Sequence, residues 1–442
     1  MLDYKYKTIL SIAVPLMISS FIQSIVLITD SAFISRFDTL AFDAVGNGGL
    51  IYITFYVALV GLGDGAQILI ARRIGENKTE NLNSIFTTSI FNHLLLALLL
   101  FVFIQLFIPD MLASWSRHQD LCKLQVDFIS IRSYGLFISA ITIAIQAFFF
   151  ARGKTWVVLV SAIVTATTNI FFASGLIFGN AIFPRMGLEG AAIANVLAEF
   201  SGMLCLLCFL YLSKEKKIYK LLQTFKYNWA ATIDLLKVGS PLMLQSLIAL
   251  ATWTIFFTWI EQTGKFELTA SQNVRSIYFL AFVPIWGFAA TTKTYVSQFI
   301  GKEDFASIKI IQRRIQFLTL LFLFIFFHGA IFYPEALIRM VNPAEEYVIA
   351  SANILFYVSG SIFIYGFGMV YFQTVSGSGN TRFTFYIELI SVFIYIVSAY
   401  LFIKVWKSDI KWVWTVEYIY FITMAALSIA YLHFFDWKKN RL

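Results

Sequence analysis

The sequence predicts an all-α, polytopic membrane protein with about twelve transmembrane helices in two related six-helix halves. Three observations predict this fold: an apolar composition, apolar runs long enough to span a bilayer, and self-similarity at a constant offset. Of the 442 residues, 59% are hydrophobic and 13% are charged. Because a soluble protein needs a larger charged fraction to cover its surface, this composition excludes a soluble fold.

Apolar runs of roughly 20 residues or more recur along the whole chain, and each can cross about 30 Å of hydrocarbon as a helix. The intervals between these runs are too short for a soluble domain. The predicted spans are 8–36, 44–72, 84–108, 128–151, 155–178, 187–213, 233–261, 268–299, 310–333, 347–374, 381–405 and 411–435.

The second half of the chain repeats the first at an offset of 226 residues. The aligned pairs include Pro15/Pro241, Asn47/Asn273, Tyr52/Tyr278, Gly61/Gly287, Gly75/Gly301 and Gly153/Gly379. Since six spans, an even number, separate equivalent positions, the halves are parallel repeats about an axis along the membrane normal. We predict lobes at 1–213 and 233–442, joined by a basic cytoplasmic linker at 214–232, with a substrate cavity between the lobes.

The basic residues indicate the orientation, because loops rich in Lys and Arg stay cytoplasmic. With both termini inside, 21 of the 33 basic residues fall on the inner side and 10 on the outer side. Lys404, Lys407 and Lys411, between the last two spans, are the main exception. The net charge of +8 therefore indicates contact with anionic lipid headgroups rather than nucleic acid, and we predict a multi-pass protein of the cell (inner or plasma) membrane.

Enzyme chemistry and cofactors are not expected from the sequence. Paired catalytic carboxylates and a phosphate-binding loop are not found, and the small residues at 61–65 indicate close helix approach rather than a nucleotide loop. The three cysteines are too few for a four-ligand zinc site, and we interpret them as packing residues. The four histidines are widely scattered: His93, His118, His328 and His433.

Three polar side chains in different spans of the first half lie at similar depths. Asp30, Asn169 and Asn195 fall about 10, 14 and 12 Å from the outer face. A carboxylate with two amides suits a Na⁺ site or a protonatable switch, and desolvation would favour the protonated form of Asp30. Glu199, one helical turn beyond Asn195, is a further acid for this site. Alternatively, Asp30 is a solvated acid at a helix end, and the asparagines only join helices by hydrogen bonds.

Other charged residues inside the spans have two interpretations. Lys293 and Glu388 share one depth, and Arg275 and Glu417 share another, so each pair is predicted to be a structural ion pair. Alternatively, Arg275 or Lys293 faces a central cavity, which would favour anionic substrates. Asp64, about 12 Å from the inner face, has no basic residue at its depth and is a candidate cavity residue.

A series of short motifs carries a family resemblance through its order and spacing. In the first half they are Val14–Met17, Asp30–Arg36, Gly61–Ala66, Ile70–Gly75, Ala151–Thr155, Asn169–Phe171, Leu176–Gly179 and Gly187–Asn195; in the second, Ser240–Leu242, Gly287–Phe288, Ile300–Lys302 and Gly377–Thr381. Together they resemble the MATE (multidrug and toxic compound extrusion) family of the MOP flippase superfamily. The resemblance covers nearly the whole chain.

The resemblance implies secondary-active efflux of cationic or amphipathic small molecules by antiport with H⁺ or Na⁺, the two lobes opening to alternate sides. No obligate protein partner is expected. The chain departs from the family at Ala173, where relatives often have a second acid, and at Asn195, where Thr is common. The interiors of the seventh and tenth spans lack acids, so we expect any coupling site in the first half. The alternative is a flippase for lipids or lipid-linked oligosaccharides of the same superfamily.

Overall fold

The computed structural model describes residues 2–78, 80, 82–115, 119–180, 182–223 and 227–439. Within this part of the chain, twelve helices are long and apolar enough to cross a membrane, which confirms the predicted fold class and span number. His118 and residues 224–226 of the predicted linker lie outside the described residues. The described residues form helices and turns without a β-strand.

The first half contains seven long helices and one short one. They are α1 (Tyr6–Phe37), α2 (Thr39–Gly75), α3 (Leu82–Trp115), α4 (Gln119–Arg132), α5 (Gly135–Arg152), α6 (Trp156–Phe178), α7 (Gly187–Leu212) and the short α8 (Lys214–Ile218). Local chemistry sets their ends. Asp38 caps α2, its carboxylate accepting from the Ala41 amide at 2.7 Å, and Gly153 ends α5 in the left-handed region at φ 73°.

The second half follows the same plan. Its helices are α9 (Trp229–Glu261), α10 (Lys265–Gly301), α11 (Phe305–Phe327), α12 (Gly329–Phe332), α13 (Pro334–Val341), α14 (Glu345–Gly377), α15 (Thr381–Tyr400), α16 (Ile410–Val413) and α17 (Val416–Phe434). A π-helical turn, Leu401–Val405, extends α15. Gly379, the repeat equivalent of Gly153, also has a positive φ of 86°, so both halves need glycine at this turn.

The fourth predicted span, 128–151, joins parts of two helices. The structure ends α4 at Arg132 and begins α5 at Gly135, so the membrane-spanning helix here is 135–152. Gly135, the first residue of α5, leaves room for two side chains, because a Cβ at this position would lie 2.6 Å from Nη1 of Arg132 and 2.7 Å from Oε2 of Glu199. The space beside Gly135 therefore belongs to a buried ion pair.

The chain forms two compact units. We call residues 18–243 the first-half unit, and residues 1–17 together with 244–442 the second-half unit. Each division falls inside a helix, two residues after Pro15 in α1 and two residues after Pro241 in α9, at repeat-equivalent positions. Proline inside a helix removes a backbone hydrogen bond and bends the helix, which explains a change of packing partners there.

Glycines explain how the second helix of each half packs. In the first-half unit, a Cβ on Gly61 of α2 would lie 2.6 Å from the backbone of Met243 in α9. In the second-half unit, a Cβ on the equivalent Gly287 of α10 would lie 2.6 Å from the Cγ of Met17 in α1. The repeated glycine thus lets a helix backbone approach closely in both units, as the sequence indicated for residues 61–65.

The segment after α7 is fastened to the end of α5. Glu215 of α8 is buried, and its carboxylate lies 2.6 Å from Nζ of Lys154 and 3.6 Å from Nη2 of Arg152. Burial acts to raise the pKa of Glu215, but the hydrogen bond and charge of Lys154, with the charge of Arg152, outweigh burial and lower the pKa. The start of the predicted linker is therefore held in place by a buried acid.

Candidate cation-coupling site

Asp30 of α1 binds two asparagines from neighbouring helices. Its Oδ2 accepts a hydrogen bond from Nδ2 of Asn195 in α7 at 3.1 Å, and one from Nδ2 of Asn169 in α6 at 3.5 Å. Asn169 is 1% exposed, while Asp30 and Asn195 are half-buried. The structure thus brings together the three residues whose depths in the sequence agreed.

Small residues in α7 let α6 approach closely enough to complete this site. A Cβ on Gly190 would lie 2.6 Å from the carbonyl oxygen of Leu176, and Ser161 of α6 donates a hydrogen bond to the carbonyl oxygen of Gly202 at 2.9 Å. These contacts lie on either side of the asparagines along the helix pair. Close packing of α6 and α7 therefore holds both amides in position beside α1.

Glu199 forms an ion pair that the sequence analysis did not anticipate. Its Oε1 lies 2.5 Å from Nη2 of Arg132, and the two side chains are 21% and 11% exposed. The hydroxyls of Tyr52 and Ser139 each donate to Oε2 of Glu199 at 3.4 Å. Glu199 is thus engaged by a cation and two hydroxyls, whereas the hydrogen bonds of Asp30 come from the asparagines.

Arg132 is a residue of this candidate site that sequence reasoning missed. Its guanidinium carbon lies 3.9 Å from the ring centroid of Tyr52, and its charge interacts with both Glu199 and Asp30. The sequence analysis counted Arg132 among the ten outer basic residues, although it lies near the start of the predicted span 128–151. The available signal was Gly135, one turn later, because a glycine beside an arginine leaves room for the guanidinium to turn inward.

Three buried polar atoms of this site lack a hydrogen-bond partner among the described residues: Oδ1 of Asp30, Oδ1 of Asn169 and Nη1 of Arg132. Unsatisfied buried polar atoms are uncommon and need an explanation. Two of the three are oxygens, the atom type that binds protons and hard cations. The donor set therefore suits a small cation at Asp30.

The amide orientation of Asn195 decides which cation fits better. Nδ2 of Asn195 also donates to the carbonyl oxygen of Ala191 at 3.0 Å, a bond that an amide oxygen cannot make. Asn195 therefore presents N–H groups, not an oxygen, to Asp30. A Na⁺ ion would find two unpartnered oxygens here, fewer than the set that hard cations usually require, whereas a proton needs one.

The remaining predicted site residues lie elsewhere. Asp64 is half-buried in α2 of the first-half unit. In the second-half unit, Lys293 of α10 is buried at 6% exposure, while Arg275 is exposed with its guanidinium 4.8 Å from the ring centroid of Phe257.

The predicted pairing of the second-half acids is corrected by the structure. Glu417 accepts a hydrogen bond from the Tyr395 hydroxyl at 2.9 Å, not an ion pair from Arg275, whose side chain is turned outward onto Phe257. Glu388 accepts its hydrogen bond from the Tyr420 hydroxyl at 2.5 Å, where helix depth had suggested Lys293. Depth along a helix does not determine the direction in which a side chain points.

A bundle of membrane-spanning helices in two repeated halves, with polar and ionisable groups buried inside the halves, is typical of a membrane transporter. The MatE family profile matches this chain twice, over residues 15–174 and 241–401. The chain therefore belongs to the MatE family, which is a family of transporters rather than of enzymes. The two matches begin 226 residues apart, at the offset of the internal repeat.

Two curated relatives align with this chain over nearly its full length. A probable multidrug resistance protein NorM from Thermotoga maritima is 23% identical, with 98% of this chain and 93% of the relative covered. Another, the probable multidrug resistance protein YoeA from Bacillus subtilis, is 21% identical, with 97% and 93% covered.

Two solved structures show the same fold. An outward-facing multidrug resistance MATE family transporter of the MOP superfamily matches with a TM-score of 0.87 at 19% identity, with 96% of this chain and 94% of that chain covered. A MOP superfamily transporter from Pyrococcus furiosus, described by a reversed polarity of its binding pocket, matches with a TM-score of 0.85 at 19% identity and the same coverage.

Proposed function

We propose that this chain is a secondary-active multidrug exporter of the plasma membrane, which moves cationic or amphipathic small molecules outward by antiport. Its curated relatives carry the name of multidrug resistance proteins, and their sequences align over almost the whole chain. The proposed coupling rests on Asp30, whose carboxylate lies inside a membrane helix. Two asparagine side chains donate hydrogen bonds to its Oδ2, while its Oδ1 is buried and has no hydrogen-bond partner among the described residues.

The coupling ion that we propose is the proton, which binds at Oδ1 of Asp30. Asn169 and Asn195 donate to Oδ2, and hydrogen bonds to an ionised acceptor are roughly twice as strong as those to a neutral one. Protonation forms one O–H bond at Oδ1 and weakens the two hydrogen bonds that the asparagine side chains donate to Oδ2. The attachment of α1 to α6 and α7 therefore depends on whether Asp30 carries a proton.

Arg132 and Glu199 set the electrostatic background for this step. The guanidinium favours the ionised form of Asp30, while its ion pair with Glu199 offsets most of that charge. Asp30 is thereby kept able to release its proton as well as to bind one. In this proposal Arg132 and Glu199 are positioning residues, and Asp30 alone binds the coupling ion.

Reconstituted transport tests the coupling. Proteoliposomes are loaded with a fluorescent organic cation, and its movement is followed under an imposed pH gradient or an imposed Na⁺ gradient. Wild type should respond to the pH gradient, and Asp30→Asn should lose that response. The control is Asp43→Asn, which removes an exposed acid of α2 and should behave as wild type.

Two results would contradict the proposal. Gradient-driven transport that persists undiminished in Asp30→Asn would exclude Asp30 as the coupling residue. Transport driven by Na⁺ and indifferent to pH would keep Asp30 but replace the proton, and the two asparagines would then need to bind Na⁺ through oxygens.

The flippase alternative is not favoured, because the name of each curated relative reported above refers to multidrug resistance. We propose that both termini are cytoplasmic, as the distribution of Lys and Arg predicts. Accessibility of single cysteines introduced near each terminus to a membrane-impermeant thiol reagent tests this orientation.

A further inference from the structure

Two acids are buried in the second-half unit without a basic partner. Glu388 of α15 is 3% exposed and Glu417 of α17 is 1% exposed. Among the described residues, neither forms an ion pair, and the hydrogen bonds to them come from tyrosine hydroxyls. A lone carboxylate in hydrocarbon costs at least about 2.5–3.5 kcal/mol, so these two residues need an explanation of their own.

The two acids are connected by a pair of crossed tyrosines. Tyr395 of α15 donates to Glu417 of α17, and Tyr420 of α17 donates to Glu388 of α15. The ring centroids of Tyr395 and Tyr420 are 5.5 Å apart. Each helix thus supplies one acid and one phenol, and the four side chains form a continuous series, which we call the tyrosine-bridged acid pair.

An unpartnered atom lies at one end of this series. Oε2 of Glu417 is buried and has no hydrogen-bond partner among the described residues, while Oε1 accepts from Tyr395. If Glu417 were ionised, this oxygen would carry negative charge without a hydrogen-bond donor to stabilise it. A proton on Oε2 removes that charge, so the geometry at Glu417 indicates a proton as the ligand.

The other titratable groups that face the pair are also neutral phenols. Tyr278 of α10, whose hydroxyl shares a 2.8 Å hydrogen bond with Ser361, interacts with the charge of Glu417, and Tyr365 of α14 interacts with the charges of both acids. Among the described residues, no basic residue of α10, α14, α15 or α17 forms an ion pair with either acid. Ionisation of the pair is therefore opposed by burial and is supported only by hydroxyl donors.

We propose that Glu388 and Glu417, joined by Tyr420 and Tyr395, form a second proton-binding site in the second-half unit. Binding forms an O–H bond on a carboxylate oxygen and breaks one in hydronium, with no electron transfer. The site is separate from Asp30, which lies in the first-half unit, and it goes beyond the coupling proposed there. It gives the second half a protonatable centre although the interiors of its seventh and tenth spans lack acids.

Infrared difference spectroscopy on reconstituted full-length protein tests this inference. A neutral carboxylic acid has a C=O stretching band that its carboxylate lacks, so a pH step between about 5 and 9 reveals each acid that titrates in that range. Wild type should show pH-dependent bands. Glu388→Gln and Glu417→Gln should each remove one of these bands. Proton uptake measured with a pH dye should fall by one proton per protein molecule for each substitution.

Controls separate this site from the first-half site and from a structural role. Asp30→Asn should leave both glutamate bands in place, so the two proposals stand or fall separately. Tyr395→Phe should shift the Glu417 band without abolishing it, which keeps the test valid if Glu417→Gln fails to fold. Carboxylic bands that do not change with pH would make the acids permanent hydrogen-bonding groups and overturn the proposal, as would wild-type spectra without such bands.

Discussion

Replacing Glu199 by glutamine removes the negative partner of Arg132 but keeps the size of the side chain. The two side chains are 11% and 21% exposed, so the arginine would keep its charge in a mostly buried position. Removing one partner of a buried ion pair lowers the free energy of unfolding by about 3–5 kcal/mol. Because Glu199 is partly exposed, we expect a loss of about 3 kcal/mol. Over a unit of this size, at roughly 2 °C per kcal/mol, the unfolding midpoint should fall by about 6 °C.

The assay is thermal unfolding in detergent of Glu199→Gln, Glu199→Met, Arg132→Met and the combined Arg132→Met/Glu199→Met variant. The combined variant should be more stable than either single one, because apolar replacement of a whole buried pair is close to neutral. Glu335→Gln, which removes one of the two exposed carboxylate partners of Arg339, is the control and should leave the unfolding midpoint nearly unchanged. The reasoning is refuted if Glu199→Gln lowers the unfolding midpoint no more than this control does. It is also refuted if the stability lost by the combined variant equals the sum of the losses of Glu199→Met and Arg132→Met.

Three further predictions concern stability and pH. Gly61→Ala should destabilise the protein by about 1–3 kcal/mol in thermal unfolding because a Cβ there meets helix backbone, whereas Gly49→Ala in the same helix meets nothing within 4 Å and should be neutral or slightly stabilising. Glu215→Gln should speed proteolytic cleavage of the segment after α7 about 5-fold near neutral pH, and exposed Glu303→Gln should not; each variant is compared with wild type at every pH with a protease active at that pH. Because the folded pKa of Glu215 is lowered, this difference should be present above about pH 5 and disappear as the pH falls through the folded pKa; a constant difference would exclude the ion pairs as its cause. Glu199→Gln should also move pH-driven transport to more acidic conditions, since the freed guanidinium favours the ionised coupling carboxylate; an unchanged pH profile would contradict the positioning role.

Much of the fold could be predicted from the sequence because a bilayer constrains a chain more strictly than water does. Backbone polar groups in hydrocarbon must be satisfied within a helix, so apolar run length alone located all twelve spans in the described residues. The boundary between α4 and α5 was missed because a turn of only two residues, 133–134, does not interrupt an apolar run.

The candidate site was predicted in part. Asp30, Asn169 and Asn195 were found because helical rise converts residue number into depth, and depth was sufficient to bring them to one level. Arg132 was missed because depth carries no information about the direction of a side chain. The same limitation led to the prediction of basic partners for Glu388 and Glu417, which the structure pairs with tyrosines.

The position of the unit boundaries has a consequence for the ancestry of the chain. Each compact unit includes the opening segment of the other half, up to Met17 in one case and Met243 in the other. A protein made of one half alone would complete its fold only as a dimer in which the two subunits exchange their opening segments. Fusion of two such copies makes this exchange intramolecular, so each opening segment is always present at high effective concentration. Each half is afterwards free to diverge in sequence.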